Sequence, residues 1–94
     1  MNTDIADVVI SINGRDKGKR FLIIGAEDGY SLLSDGKTRR LEKPKRKKNK
    51  HIQPDGAIKT HIAEKLKTGE KVTNSDIRRA LAEYTATLDK GGMQ

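Results

Sequence analysis

The sequence predicts a mainly β chain with helices at its C-terminus, a small barrel of four to five strands followed by a helical hairpin. Three observations lead there. Short β-branched runs separated by Asn-Gly and Asp-Gly pairs fill the first half. After Pro54 the hydrophobic period changes from that of a strand to that of a helix. The chain has 94 residues, 33% of them hydrophobic, which suits one small core and not two.

Val8-Val9-Ile10-Ser11-Ile12 reads as the first strand, closed by Asn13-Gly14. Gly18 leads into a second, Lys19 to Ile24, which stops at Gly25. Asp28-Gly29 predicts a type I′ hairpin turn, since that turn needs two residues at positive φ. Tyr30 to Leu33 follows as a third strand, and Asp35-Gly36 turns the chain again. Thr38 to Glu42 is expected as the fourth strand, interrupted by Lys43-Pro44 as at an exposed edge. A last short strand near Lys50-His51-Ile52 would let the meander close, which removes its free edges.

Asp55 is expected to cap a helix carrying Ile58, Ile62 and Leu66 on one face, with Gly69 just beyond its end. A second helix begins near Thr73-Asn74-Ser75-Asp76, where Thr73 and Asp76 form a capping-box pattern with Asp in place of Glu. Ile77, Leu81, Tyr84 and Leu88 then make one apolar stripe, and Gly91-Gly92 ends the helix. The chain thus divides into a barrel over 1–53, with a basic arm over 43–51, and a helical extension over 54–94.

Composition excludes several function classes. There is no cysteine, so disulfides, thiolate metal sites and cysteine nucleophiles are absent, and a reducing cytoplasm is the expected setting. Met1 to Asp7 carries two aspartates and no basic run, so no signal peptide is expected. The longest apolar run, Phe21 to Ile24, is far short of the ~20 residues a membrane span needs. His51 and His61 lack further ligands nearby, and the acids are scattered singly. Neither an enzyme nor any cofactor or metal is expected.

The net charge is +7, and it is concentrated. Arg15 to His51 holds 13 Lys/Arg against 5 Asp/Glu, whereas the flanking segments are acidic or nearly neutral. An excess so localised points to a polyanionic partner. Nucleic acid suits it better than a membrane, because no amphipathic helix coincides with it.

Val9-x-Ser11-x-x-Gly14-Arg15-Asp16-x-Gly18-x-x-Phe21 is the most informative stretch. Gly14 and Gly18 permit a sharp loop between two strands and put Arg15 and Lys17 on display, with Lys19 and Arg20 opening the next strand. These residues resemble the KOW motif of a small SH3-like barrel. The resemblance is closest to small bacterial KOW-domain RNA-binding proteins, relatives of KOW-class large-subunit ribosomal proteins of archaea and eukaryotes. It continues through Leu32 to Lys45 and the basic run to His51, and returns at Val72 to Leu81. Ala6 departs from it, standing where such proteins commonly carry Gly.

The resemblance implies an RNA-binding protein of the translation apparatus with no catalytic site, its partner ribosomal RNA or the ribosome. The candidate RNA contacts are Arg15, Lys17, Lys19, Arg20, Lys37, Arg39, Arg40, Lys43, Lys45, Arg46, Lys47, Lys48, Lys50 and His51. Lys45 to Lys50 puts five cations in six residues, a run that repels itself and is expected as an arm at the barrel's edge. Alternation along the expected fourth strand sets Arg40 outward and Arg39 beside Leu41. Phe21 is expected in the core and Tyr30 packed, which leaves shape and backbone recognition rather than base stacking. The competing expectation is a protein-docking adaptor, with the stripe from Ile77 to Leu88 as its contact surface.

Overall fold

The computed structural model describes residues 4–92. Five antiparallel strands precede two helices: β1 (Asp7–Ser11), β2 (Arg20–Glu27), β3 (Tyr30–Ser34), β4 (Lys45–Lys48), β5 (Ile52–Ala57), α1 (His61–Thr68) and α2 (Asn74–Gly92). The strands form one sheet in the order β4-β3-β2-β1-β5. Its two edge strands, β4 and β5, are joined by only the three residues of a 3₁₀ turn, Asn49–His51. So short a link spans at most about 14 Å. The sheet must curl strongly to bring its edges that close.

Alternation along the strands gives the sheet two apolar faces. Val9, Phe21, Ile23, Leu33 and Ile52 gather on the inner one. Val8 and Leu22 point the other way, onto a second cluster with Ile58, Ile62, Ile77 and Ala80. The helices therefore complete a core that begins in the sheet. Phe21 is fully buried, as expected.

Three expected elements are placed differently. Thr38 to Glu42 is not a strand. Asp35 gathers this segment into a loop, accepting hydrogen bonds from the Lys37 N–H (2.9 Å), the Thr38 hydroxyl (2.6 Å) and the Arg39 N–H (2.8 Å). The fourth strand is instead the basic run itself, with Leu33 opposite Lys45 and Tyr30 opposite Lys48. Local repulsion is overcome because Lys47 and Arg46 each find a partner elsewhere in the fold, and lysines are well tolerated on an edge strand.

The helix expected to start at Asp55 starts later. Pro54 and Asp55 lie in β5, where an edge position tolerates the missing proline N–H. Val8 pairs with Gly56 and Val9 with Pro54, so Asp55 is the extra residue of a β-bulge. Thr60 caps α1 by accepting the Ile62 N–H, and Gly69 closes it at φ 79°. The sheet thus runs past residue 53 to Ala57, and Ile58 joins the core from the segment before the helix. The last expected strand near Lys50 is the 3₁₀ turn, with β5 following from Ile52.

At the Asp28-Gly29 turn only Gly29 has positive φ, so the turn is not type I′. The Thr73–Asp76 capping box forms as expected. The Asp76 N–H donates to Thr73 Oγ1 at 3.1 Å, and the Thr73 N–H donates to Asp76 Oδ2 at 3.0 Å. The α2 stripe packs inward at Ile77, Leu81 and Tyr84, while Leu88 is exposed. Helix α2 runs through Gly92, so the glycine pair expected to end it forms its last described residues instead. Among the described residues no helix is long and apolar enough to cross a membrane.

Candidate nucleic-acid interface

Two loops, each built on an aspartate, carry the cations that converge. In the first, residues 12–19 fold between β1 and β2. Gly14 and Gly18 both adopt positive φ, at 88° and 91°. The Gly18 N–H donates to the Ser11 carbonyl at 2.7 Å, and the Lys19 N–H to the Asp16 carbonyl at 3.0 Å. Asp16 Oδ1 accepts from the Ser11 hydroxyl (2.7 Å) and from Lys47 Nζ (2.5 Å). Lys47 also donates to Ser11 Oγ and the Asn13 carbonyl, both at 2.6 Å. Burial pushes the Asp16 carboxyl upward, but the bonds from Lys47 and Ser11 and the Lys47 charge outweigh it and hold the group below its ordinary range.

The second loop is the Asp35 cradle. Ser34 Oγ donates to the Arg39 carbonyl at 2.7 Å, fixing the far end of the loop against β3. Burial opposes ionisation of Asp35, yet the Thr38 hydroxyl and the Arg39 and Lys37 amides together lower its pKa. Its charge is thereby kept inside the loop, while Lys37 projects into solvent.

These loops, some twenty residues apart in sequence, meet around one shallow depression. Arg15 and Lys19 line one side and Thr38 and Arg39 the other, with Phe21 and Asp16 between them. The cations approach from two separate segments, and the one carboxylate present is already engaged by Lys47. An anion entering here would meet positive charge from both walls. Arg39 belongs to the site although alternation had set it beside Leu41, because its segment is a loop and not a strand.

The remaining expected contacts divide by their surroundings. Lys17 stands exposed on the first loop, and Lys43 on the segment before β4. Lys48 and Lys50 are exposed along β4 and the turn after it, with Lys45 and His51 half-buried. Arg40 is exposed and pairs loosely with Glu42 at 3.4 Å. Arg46 lies over the Tyr30 ring, 3.6 Å from its centroid, while its Nε donates to Glu27 at 2.7 Å. Arg20 points away from the depression, since alternation places it opposite Lys19 and Phe21, and it binds Asp55 at 2.9 Å.

Lys47 leaves the set of exposed contacts. Only 8% of it is accessible, and its ammonium is bound three times within the protein. It positions the first loop and does not present its charge to a partner. Ser11, Asp16, Ser34 and Asp35 are the positioning residues that charge counting passed over. Ser11 and Asp16 stood in the glycine-loop motif and Asp35 in an expected turn, but nothing about their charge marked them as part of the site.

Where the first depression ends at Arg39, the next residue, Arg40, lines a second one, together with Lys71 and Arg78 and with Leu41, Glu42 and Asn74 beside them. Asn74 is buried; its Oδ1 accepts the Leu41 N–H and its Nδ2 donates to Glu42, both at 2.7 Å. Among the described residues no cluster of acids and histidines could hold a metal ion. No protein-family model matches the chain, and no curated protein matches it significantly.

Proposed function

We propose that the protein is a non-enzymatic RNA-binding protein of the translation apparatus, which grips structured, ribosomal RNA by its backbone. The observation that carries this reading is the depression where Arg15 and Lys19 face Thr38 and Arg39 across two self-organised loops. Preformed loops lose little conformational freedom when a phosphate docks, so their cations act at full effect. Around them the exposed lysines on β4 and its following turn extend the positive surface. Electrostatic recognition of this kind positions a polynucleotide without reading its bases.

The aromatic residues support shape recognition over base stacking. Phe21 is buried, Arg46 covers the Tyr30 ring, and the Tyr84 hydroxyl donates to Asp55 at 2.7 Å. A reader of single strands would present open aromatic faces. The sheet order and the three-residue link between edge strands support an SH3-like barrel of the KOW type. Burial of Ile77 and the packing of Leu81 and Tyr84 against the core weigh against the docking-adaptor reading, because three of the four stripe residues are already used within the fold.

The test is equilibrium binding to a ribosomal RNA hairpin across a salt series, together with ribosome co-sedimentation. With about six to eight cations engaging phosphates, log K should fall steeply and linearly with log salt. Binding that ignores salt, or a protein that never travels with ribosomes, would overturn the reading.

A further inference from the structure

The segment after Asp35 contributes to two depressions, Thr38 and Arg39 to the first and Arg40 to the second, and the second draws on the helical half of the chain. Arg40 comes from the loop, Lys71 from the connection before α2 and Arg78 from α2 itself. Loop and helix are held as one body. Asn74 binds the backbone of Leu41 and the side chain of Glu42, and Arg78 Nη1 donates to the Gly36 carbonyl at 2.6 Å. At Gly36 a Cβ would run into the Asn74 carbonyl, so the approach is as close as backbone allows. The segment that lines both depressions is therefore anchored to α2.

Arg78 is committed to the Gly36 carbonyl, whereas Arg40 is held only loosely and Lys71 is exposed. Glu42 is its only lining carboxylate, and the Arg40–Glu42 contact is long, with side chains 57% and 67% exposed. Such a pair contributes little and opens readily. Asp76, nearby in the first turn of α2, is turned back onto Thr73.

We infer that the RNA backbone runs on from the first depression past Arg39 into the second, so that the footprint includes Arg40 and, from the connection before α2, Lys71. This rests on the RNA-binding reading above and extends it. The helical part is then a component of the interface and not a neutral appendage.

Salt-series binding to the same RNA hairpin separates the possibilities, using Arg40→Ala, Lys71→Ala and the pair. Lys59→Ala and Lys67→Ala serve as charge-matched controls, and thermal melting verifies that each variant stays folded. Each interface substitution should reduce the slope of log K against log salt by about 0.7–0.9, the contribution of one phosphate contact. The controls should retain the wild-type slope. Wild-type slopes in R40A and K71A, alongside reduced slopes in R15A and R39A, would confine the footprint to the first depression and defeat the inference alone. Absence of salt-dependent binding in the wild-type protein would defeat the RNA-binding reading, and this inference with it.

Discussion

Lys47 Nζ on β4 lies 2.5 Å from Asp16 Oδ1 in the β1–β2 loop, an ion pair with 8% and 13% of the two side chains exposed. It ties an edge strand to a loop thirty-one residues earlier. The other carboxylate oxygen, Asp16 Oδ2, is buried without a hydrogen-bond partner, so the pair depends heavily on Lys47.

Replacing Lys47 by alanine should therefore destabilise the protein by about 3 kcal/mol, because it strands a buried carboxylate. Lys48→Ala, one position along the same strand and exposed, should change stability by less than about 0.5 kcal/mol. Urea denaturation of both variants measures the difference. Equal midpoints would mean that the Lys47–Asp16 pair does not hold the loop.

Acid sensitivity follows from three carboxylates. Burial works against ionisation of Asp16, Asp35 and Asp55, but hydrogen bonds and cations prevail, and all three are lowered from 3.8. The folded state then binds fewer protons than the unfolded chain. Their stabilisation is complete above about pH 4 and is lost as pH falls through the lowered folded values. Unfolding midpoints followed downward from neutral pH should show a plateau and then a decline. Asp35→Asn should be less stable at neutral pH and show a shallower acid decline.

At the alkaline end the responsible group is Tyr84. Burial, the hydrogen bond to Asp55 and that carboxylate's charge push its phenol up to about 12. With the folded value above the unfolded one near 10, its stabilisation is full below pH 10 and disappears as pH rises through 12. Tyr84→Phe should remove the late step from an absorbance titration and lower stability by about 1.5 kcal/mol, the scale of a hydrogen bond to a charged group.

Backbone conformation makes a graded prediction at three positions. Gly18→Ala meets no neighbour but sits at φ 91°, and should cost about 1 kcal/mol. Gly36→Ala adds a collision with the Asn74 carbonyl to φ 73°, and should cost more than about 2 kcal/mol. Ala6 is the one non-glycine at positive φ among the described residues, at 78°, and its methyl is buried. Relief of strain in Ala6→Gly is offset by about 0.8 kcal/mol of lost burial, so that change should be nearly neutral. Denaturation midpoints should rank Gly36→Ala lowest. A Gly36→Ala variant as stable as Gly18→Ala would show that the loop is not pressed against α2.

What was legible in the sequence was local. The Thr73–Asp76 capping box, the Gly69 cap, the Gly14 and Gly18 turns and the β-branched strands are each specified by neighbours in the chain. Residues 45–48 were misread because their order comes from Asp16, Glu27 and Tyr30, all remote in sequence. Thr38 to Glu42 resembles a strand by alternation, yet the Asp35 carboxylate and Asn74 amide make it a loop. Pro54-Asp55 looks like a helix start only while the edge position of β5 is unknown. Within the candidate site, charge marked the cations, but it could not show that Lys47 turns inward or that Lys71 and Arg78 approach Arg40.

The position of β1 between β2 and β5 also has a temporal side. Val8 pairs with Leu22 on one flank and Gly56 on the other, so the strand synthesised first is among the last to be completed. A chain emerging from its N-terminus can build the β2–β3 hairpin early, but β1 stays half-paired until residue 57 is free. The whole basic segment, Arg15 to His51, is therefore translated before its scaffold can close. Such long-range pairing slows folding relative to helical domains of this size. A newly made molecule is thus a partly ordered basic chain first, and only afterwards a shaped surface.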